Sequence, residues 1–192
     1  MMKKNILLLF TVLSGVVMQA QTNFKTGLRG GFNMSYIEDV ESTGRAGFYA
    51  GAFGTINFGK FYTMQPELNF TTQGAKDVWL SADYFPETQG GKTDVPLNYL
   101  GFALMNKFNL QSFFLQAGPS FEILLNNSRY TRNKFDFNLN MGLGYDITDY
   151  LSVEGRYKIG VADVINDDSF IYIFQQVNYN SVFQVGMIYK FD

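Results

Sequence analysis

Between Phe135 and Val161 the sequence FDFNLNMGLGYDITDYLSVEGRYKIGV alternates apolar and polar residues twice in succession, and no other stretch restricts the fold as much. In its first half Phe135, Phe137, Leu139, Met141, Leu143, Tyr145 and Ile147 share one face, opposite Asp136, Asn138, Asn140, Gly142, Gly144 and Asp146. In its second half Leu151, Val153, Tyr157, Ile159 and Val161 oppose Ser152, Glu154, Arg156, Lys158 and Gly160. A period of two sustained this far specifies β-strand. Ordinary strands run about 5 to 6 residues, whereas these are roughly twice as long, near the 9 to 11 that cross a bilayer at a tilt. The polar face also carries charges of both signs. One apolar face and one charged face on long strands is the pattern of a transmembrane β-barrel, with lipid outside and a polar lumen.

The rest of the chain repeats the pattern with varying clarity. Phe24 to Ser35 alternates, with Lys25, Arg29, Asn33 and Ser35 on the polar face. Phe48 to Phe58 reads as a second strand in which Tyr49 and Phe53 blur the two faces. Tyr62 to Gly74 is a third. Pro66 within it fits a bulge or a missing ladder bond, since proline has no N–H to donate. Residues 75 to 94 read as the longest loop. From Val95 to Phe108 the apolar residues fit neither face, which suggests a bulge. A fifth strand holds Phe113, Leu115, Phe121 and Ile123 against Gln116, Ser120 and Glu122, and the last places Phe183, Val185, Met187, Tyr189 and Phe191 together. An alternating final strand with a near-terminal aromatic is similar to the signal read by the outer-membrane barrel assembly machinery.

Met1 to Ala20 reads as a signal peptide, with Lys3 and Lys4 followed by an apolar run from Ile6 to Val17 that is too short for a membrane helix. Residues 21–192 then form a single barrel domain. The chain is 46% hydrophobic with a mean hydropathy of only -0.06, because alternation hides apolar residues among polar ones. Without Lys3 and Lys4 the 15 cationic residues fall to 13 against 17 anionic ones, a net charge near -4. An acidic chain with no basic stretch is not expected to bind nucleic acid. Connections alternate between long (37–45, 75–94, 126–134, 162–174) and short (59–61, 109–111, 148–150), as in barrels with short periplasmic turns and longer external loops. The expected fold is therefore all-β: a transmembrane antiparallel up-and-down β-barrel of about eight strands. Closure leaves no strand edge exposed to lipid.

Several segments carry a family likeness: GLRGGFNMS (27–35), the PEL of Pro66 to Leu68, Val95-Pro96-Leu97, AGPSFEILL (117–125), GLGYDIT (142–148) and RYKIGV (156–161). In order and spacing they resemble the PorT-like outer-membrane β-barrel family of Gram-negative bacteria. The resemblance implies a small OmpA- or OmpX-type barrel in the cell outer membrane. Most members have no assigned activity; PorT itself is associated with protein secretion.

Nine ionisable residues fall on the predicted lumenal face: Arg29, Glu67, Glu122, Asp136, Asp146, Glu154, Arg156, Lys158 and Lys190. They could form a catalytic carboxylate pair or an ion path. Against that, an eight-stranded barrel has an interior only wide enough for side chains, and buried charges of both signs pair with one another. A packed plug of salt bridges is the expectation, with Gly142 and Gly144 leaving room for Glu154 and Arg156. The chain has no His and no Cys. Ser-His-Asp and Cys-His catalysis and nitrogen- or thiolate-ligated zinc are thereby excluded, leaving Ser120 with Glu122 as a minor catalytic alternative. The acidic stretch Asp163 to Asp168 lacks the spacing of an EF-hand. No cofactor and no metal are expected.

Trp79, Leu80, Tyr84 and Phe85 are apolar residues in a predicted external loop, a composition enriched in contact sites. They could equally fold over the barrel mouth or lie in lipopolysaccharide. The sequence thus leads to a monomeric, non-enzymatic outer-membrane barrel with a closed polar lumen, surrounded by lipid and lipopolysaccharide, acting through external loops on the envelope or on an external protein or ligand. A narrow pore or an accessory part in transport or secretion is the alternative from another class. A soluble barrel of lipocalin type would need its charged face outward.

Overall fold

In the computed structural model the described residues are 24–37, 43–80, 91–126, 134–162 and 180–191. They form eight strands: β1 (Lys25–Ile37), β2 (Thr43–Asn57), β3 (Tyr62–Leu80), β4 (Gly91–Leu110), β5 (Phe113–Leu124), β6 (Phe135–Asp146), β7 (Leu151–Ala162) and β8 (Asn180–Lys190). Each pairs antiparallel with its neighbour in sequence, and β8 returns to β1 from Lys190 opposite Gly27 to Asn180 opposite Ile37. The sheet is a closed barrel. The predicted signal segment and the acidic stretch from Asp163 to Asp168 lie outside the described residues.

Side-chain exposure fixes which face points where. Phe32 is 80% exposed, whereas Arg29 and Arg156 are only 4% and 2% exposed. Phenylalanine, leucine, methionine, valine and tyrosine cover the outside, and arginine, glutamate, glutamine and asparagine line the inside. A water-soluble barrel would reverse this arrangement. The outer surface matches hydrocarbon instead, and closure leaves no edge to lipid.

The short connections are tight turns on one end of the barrel. Gly59 has a φ of 97°, in the left-handed region that glycine adopts without a steric penalty. Thr148 Oγ1 accepts the backbone N–H groups of Tyr150 and Leu151 at 3.2 and 3.0 Å, closing the turn between β6 and β7. Aromatic residues ring this end: Phe58 with Tyr62, Tyr62 with Phe108 and Phe113 with Tyr145 have ring centroids 4.8 to 5.6 Å apart. Rings at this height suit the membrane–water interface, where an apolar body and a polar tip are both accommodated.

The structure corrects three expectations. Most of the segment 75–94 is strand: β3 runs on to Leu80 and β4 begins at Gly91, with Trp79 paired to Lys92 and Leu80 to Gly91. Trp79 and Leu80 therefore belong to a paired ribbon, and only 81–90 separates the two strands; Tyr84 and Phe85 lie outside the described residues. Secondly, β4 carries no bulge. It keeps one register with β5 from Tyr99 opposite Leu124 to Leu110 opposite Phe113, and the irregularity lies in β3, between Ala75 and Val78. There Asp77 adopts a φ of 53° and its N–H reaches Asp94 Oδ1 at 3.3 Å. Thirdly, β2 begins at Thr43, five residues before the alternation becomes readable at Phe48.

β4 was unreadable because both of its faces are apolar. Val95, Leu97, Tyr99, Ala103 and Met105 are buried inside, while Leu100, Phe102 and Phe108 face out. Tyr49 and Phe53 likewise point into the barrel. Pro66 behaves as expected: the β2–β3 pairing has no partners registered for Gln65 and Pro66.

Candidate functional site

Among the described residues the side chains inside the barrel are arranged in layers. Near mid-height four charges form a quartet. Arg29 on β1 contacts Glu154 on β7 at 2.6 Å and Glu67 on β3 at 3.3 Å. Arg156 contacts Glu67 at 2.6 Å and Glu154 at 3.0 Å. Each arginine thus binds both glutamates, and all four side chains are almost wholly removed from solvent.

Alternation brings them together. Residues 154 and 156 are two apart on β7 and so share a face, and the closed sheet carries β1 and β3 around to meet them.

Neutral side chains complete the quartet. Gln65 Nε2 and Asn69 Nδ2 donate to Glu67 at 2.6 and 3.0 Å. Gln116 donates to Glu154 at 2.9 Å and accepts from Arg156 at 3.0 Å, and Tyr49 Oη donates to Glu154 at 3.2 Å. The Arg29 guanidinium stacks over the Tyr49 ring, 4.4 Å from its centroid. Buried charges are tolerated when paired and hydrogen-bonded to this degree.

Gly142 stands opposite Arg156 in the register, and a Cβ there would lie 2.8 Å from Arg156 Cγ. The predicted role of that glycine as a space for a long side chain holds. Gly144 makes room for a different group: a Cβ on it would overlap the Phe114 ring.

Towards the external end Lys158 pairs with Glu122 at 2.7 Å, and Gln73 donates to the same carboxylate at 3.2 Å. Between this pair and the quartet lies a gap of about 10 Å³, room for a single water. Arg29, Asn69, Thr71, Ser120, Glu122 and Lys158 contribute to its lining. Towards the periplasmic end Lys190 pairs with Asp146 at 2.8 Å, and Ser152 donates to the same Asp146 oxygen at 2.5 Å. Asp136 lies half-buried near the external end of β6, across from Glu122 on β5. Ser120 accepts from Asn140 at 2.9 Å. The Ser120–Glu122 catalytic alternative has no support in the contacts of these two side chains, because the Glu122 carboxylate is engaged by Lys158.

A family model for the outer membrane protein beta-barrel domain matches residues 19–166, well over half of the chain. The chain belongs to this outer-membrane β-barrel family. It resides in the cell outer membrane, and its lumenal network is the interior of a small barrel of that family. Among solved structures it is similar to the Yersinia pestis outer membrane protein Ail in a phospholipid bilayer nanodisc, at 13% identity and a TM-score of 0.50, covering 87% of this chain and 99% of that one. Neisserial surface protein A is similar at 15% identity and a TM-score of 0.50, covering 88% and 97%. At such identities the likeness concerns the fold. No curated protein matches the chain.

All nine sequence-predicted lumenal residues sit on the inner face of this family member, and eight of them form the quartet and the two outlying pairs. Several lumenal residues escaped the sequence reading. Lys107 on β4 is buried, with its Nζ 3.8 Å from the Phe114 ring centroid. Tyr49, Phe53 and Phe114 also point inward, as does Gln116, which the alternation of β5 already places on the polar face. Phe108 and Leu110 share the outer face, so alternation puts Lys107 on the inner one, a signal that the apolar residues of β4 obscure.

Proposed function

We propose that the protein is a non-enzymatic outer-membrane barrel with a lumen closed to solutes, acting through its external end in envelope structure or partner binding. The observation that carries this reading is the buried quartet of Arg29, Glu67, Glu154 and Arg156, in which every charge is neutralised across the barrel axis. A path for ions needs sites that bind weakly enough to release. Here the charges are consumed by one another.

The β3–β4 ribbon supports the external role. Its outermost pairs hold Trp79 and Leu80, beyond the last outward-facing apolar residues Phe70 and Leu100, and its outer flank carries Lys76, Asp77, Lys92 and Asp94. A charged flank does not suit acyl chains, so we take the ribbon to stand in the lipopolysaccharide layer or above it. The narrower likeness to PorT-like barrels, cleavage after residue 20, delivery by the barrel assembly machinery and a monomeric state belong to the same proposal.

Planar-bilayer conductance of the refolded residues 21–192 tests the closed lumen. Silence is expected. Reproducible steps from the unaltered protein would overturn it and make a narrow pore, or an accessory part in transport, the better reading. For the external role, a strain lacking the protein should be restored to detergent resistance by the wild type and not by a Trp79→Ser, Tyr84→Ser variant. Full restoration by that variant would remove these residues from the function.

A further inference from the structure

Below the quartet the lumen changes character. Phe53 from β2, Phe114 from β5 and Ile188 from β8 form a buried apolar cluster across the interior. The rings are let in by glycines: a Cβ on Gly27 would overlap Phe53, and one on Gly144 would overlap Phe114. On the periplasmic side of this cluster the groups are polar again, with Asp146 and Lys190 partly exposed. The cluster is a septum between the buried quartet and the partly exposed polar groups near the turns.

One charge sits in it. Lys107 is 5% exposed and lies against the Phe114 ring, and among the described residues no carboxylate comes within ion-pair distance of its ammonium. The other buried cations, Arg29, Arg156 and Lys158, each hold a glutamate. Cation–π contact offsets part of the desolvation of Lys107 without cancelling its charge.

We infer that the lumen is sealed twice, by the quartet and independently by the Phe53–Phe114–Ile188 septum, and that Lys107 is the fixed charge that makes the septum selective for anions once it opens. An uncompensated cation at a constriction repels cations and attracts anions, the logic of lysine-lined anion pores. A neutralised quartet imposes no such sign. The inference rests on the closed-lumen reading and goes beyond it by assigning the second barrier and the charge preference.

The test is conductance and reversal potential in a KCl gradient across planar bilayers, using the mature chain. Glu67→Ala with Arg156→Ala opens the quartet, and Phe53→Ala with Phe114→Ala opens the septum. Each pair alone should stay silent, and the four together should conduct with an anion-to-cation permeability ratio of at least about fivefold. Adding Lys107→Met should bring the ratio close to one, and Lys107→Arg should retain it. Conduction by the quartet variant alone would overturn the second seal while leaving the wild-type closed. Silence of the combined variant, or selectivity unchanged by Lys107→Met, would overturn the inference as well.

If the combined variant does not refold, thiol labelling carries the test, since the chain has no cysteine of its own. Asn109→Cys, half-exposed on the periplasmic side of the septum, should react with a membrane-impermeant reagent added from that side. Ser120→Cys, above it, should react from that side at least tenfold more slowly. Equal rates would mean that the septum is no seal.

Discussion

Replacing Arg156 by methionine removes one cation from the quartet while keeping most of the side-chain volume. In the folded protein Arg156 contacts Glu67 at 2.6 and 2.7 Å through two nitrogens and Glu154 at 3.0 Å. Without it, Glu67 retains Arg29 at 3.3 Å and the amides of Gln65 and Asn69, and Glu154 retains Arg29, Gln116 and Tyr49. Two buried carboxylates then share one arginine. Removing one partner of a buried pair costs about 3–5 kcal/mol, and the surviving hydrogen bonds place this site towards the lower end, about 3 kcal/mol.

With a urea m-value of about 1–3 kcal/mol/M, the unfolding midpoint in lipid vesicles should fall by about 1–3 M. Heat-dependent gel mobility and the fluorescence of Trp79, the single tryptophan, both report the transition. Glu67→Gln added to Arg156→Met should recover at least about 1 kcal/mol, because it removes the orphaned charge. A single-variant midpoint within experimental scatter of the wild type, or a double variant less stable than the single by a further full penalty, would refute the quartet as a coupled unit.

Other outcomes follow from the same interior and from its lipid face. Lys158→Met leaves Glu122 without its cation and should cost about 3–5 kcal/mol, whereas Lys107→Met, which orphans no carboxylate, should be neutral or stabilising; equal losses in urea unfolding would contradict the assignment of Lys107 as unpaired. Gly142→Val should destabilise by about 1–3 kcal/mol or abolish refolding, since even a Cβ would lie 2.5 Å from the Gly155 carbonyl oxygen. Met141→Arg, outward near mid-height on β6, should cost about 2–4 kcal/mol in bilayers and Phe135→Arg, at the external end, about 0–1 kcal/mol. Equal effects at the two positions would argue against a membrane centred on these strands.

Legibility followed the contrast between the two faces of each strand. β6 and β7 were readable residue by residue because every inward position is polar or glycine and nearly every outward one apolar. β4 was not, because Val95, Leu97, Tyr99 and Met105 line the interior as Leu100 and Phe102 line the exterior. Alternation cannot be seen when both faces are apolar, and Lys107 was lost with it. The ribbon from Ala75 to Leu80 and Gly91 to Asp94 was missed for another reason. Its strands pair with one another through a bulge at Asp77, and a bulge breaks the period that a sequence reading follows.

By itself the sequence determined the architecture, the membrane and the sign of each face, because long alternating strands have one low-energy solution in hydrocarbon: a closed barrel with its charges inside. It also supplied nine of the lumenal charges, though not Lys107. Who pairs with whom was decided only by the tertiary structure, since closure of β8 on β1 brings Arg29 beside Glu154, which lie 125 residues apart in the chain. The septum is likewise a tertiary fact. Alternation along β5 puts Phe114 on the polar face, but only the tertiary structure brings it to Phe53 and Ile188 and sets glycines 27 and 144 where the rings need space.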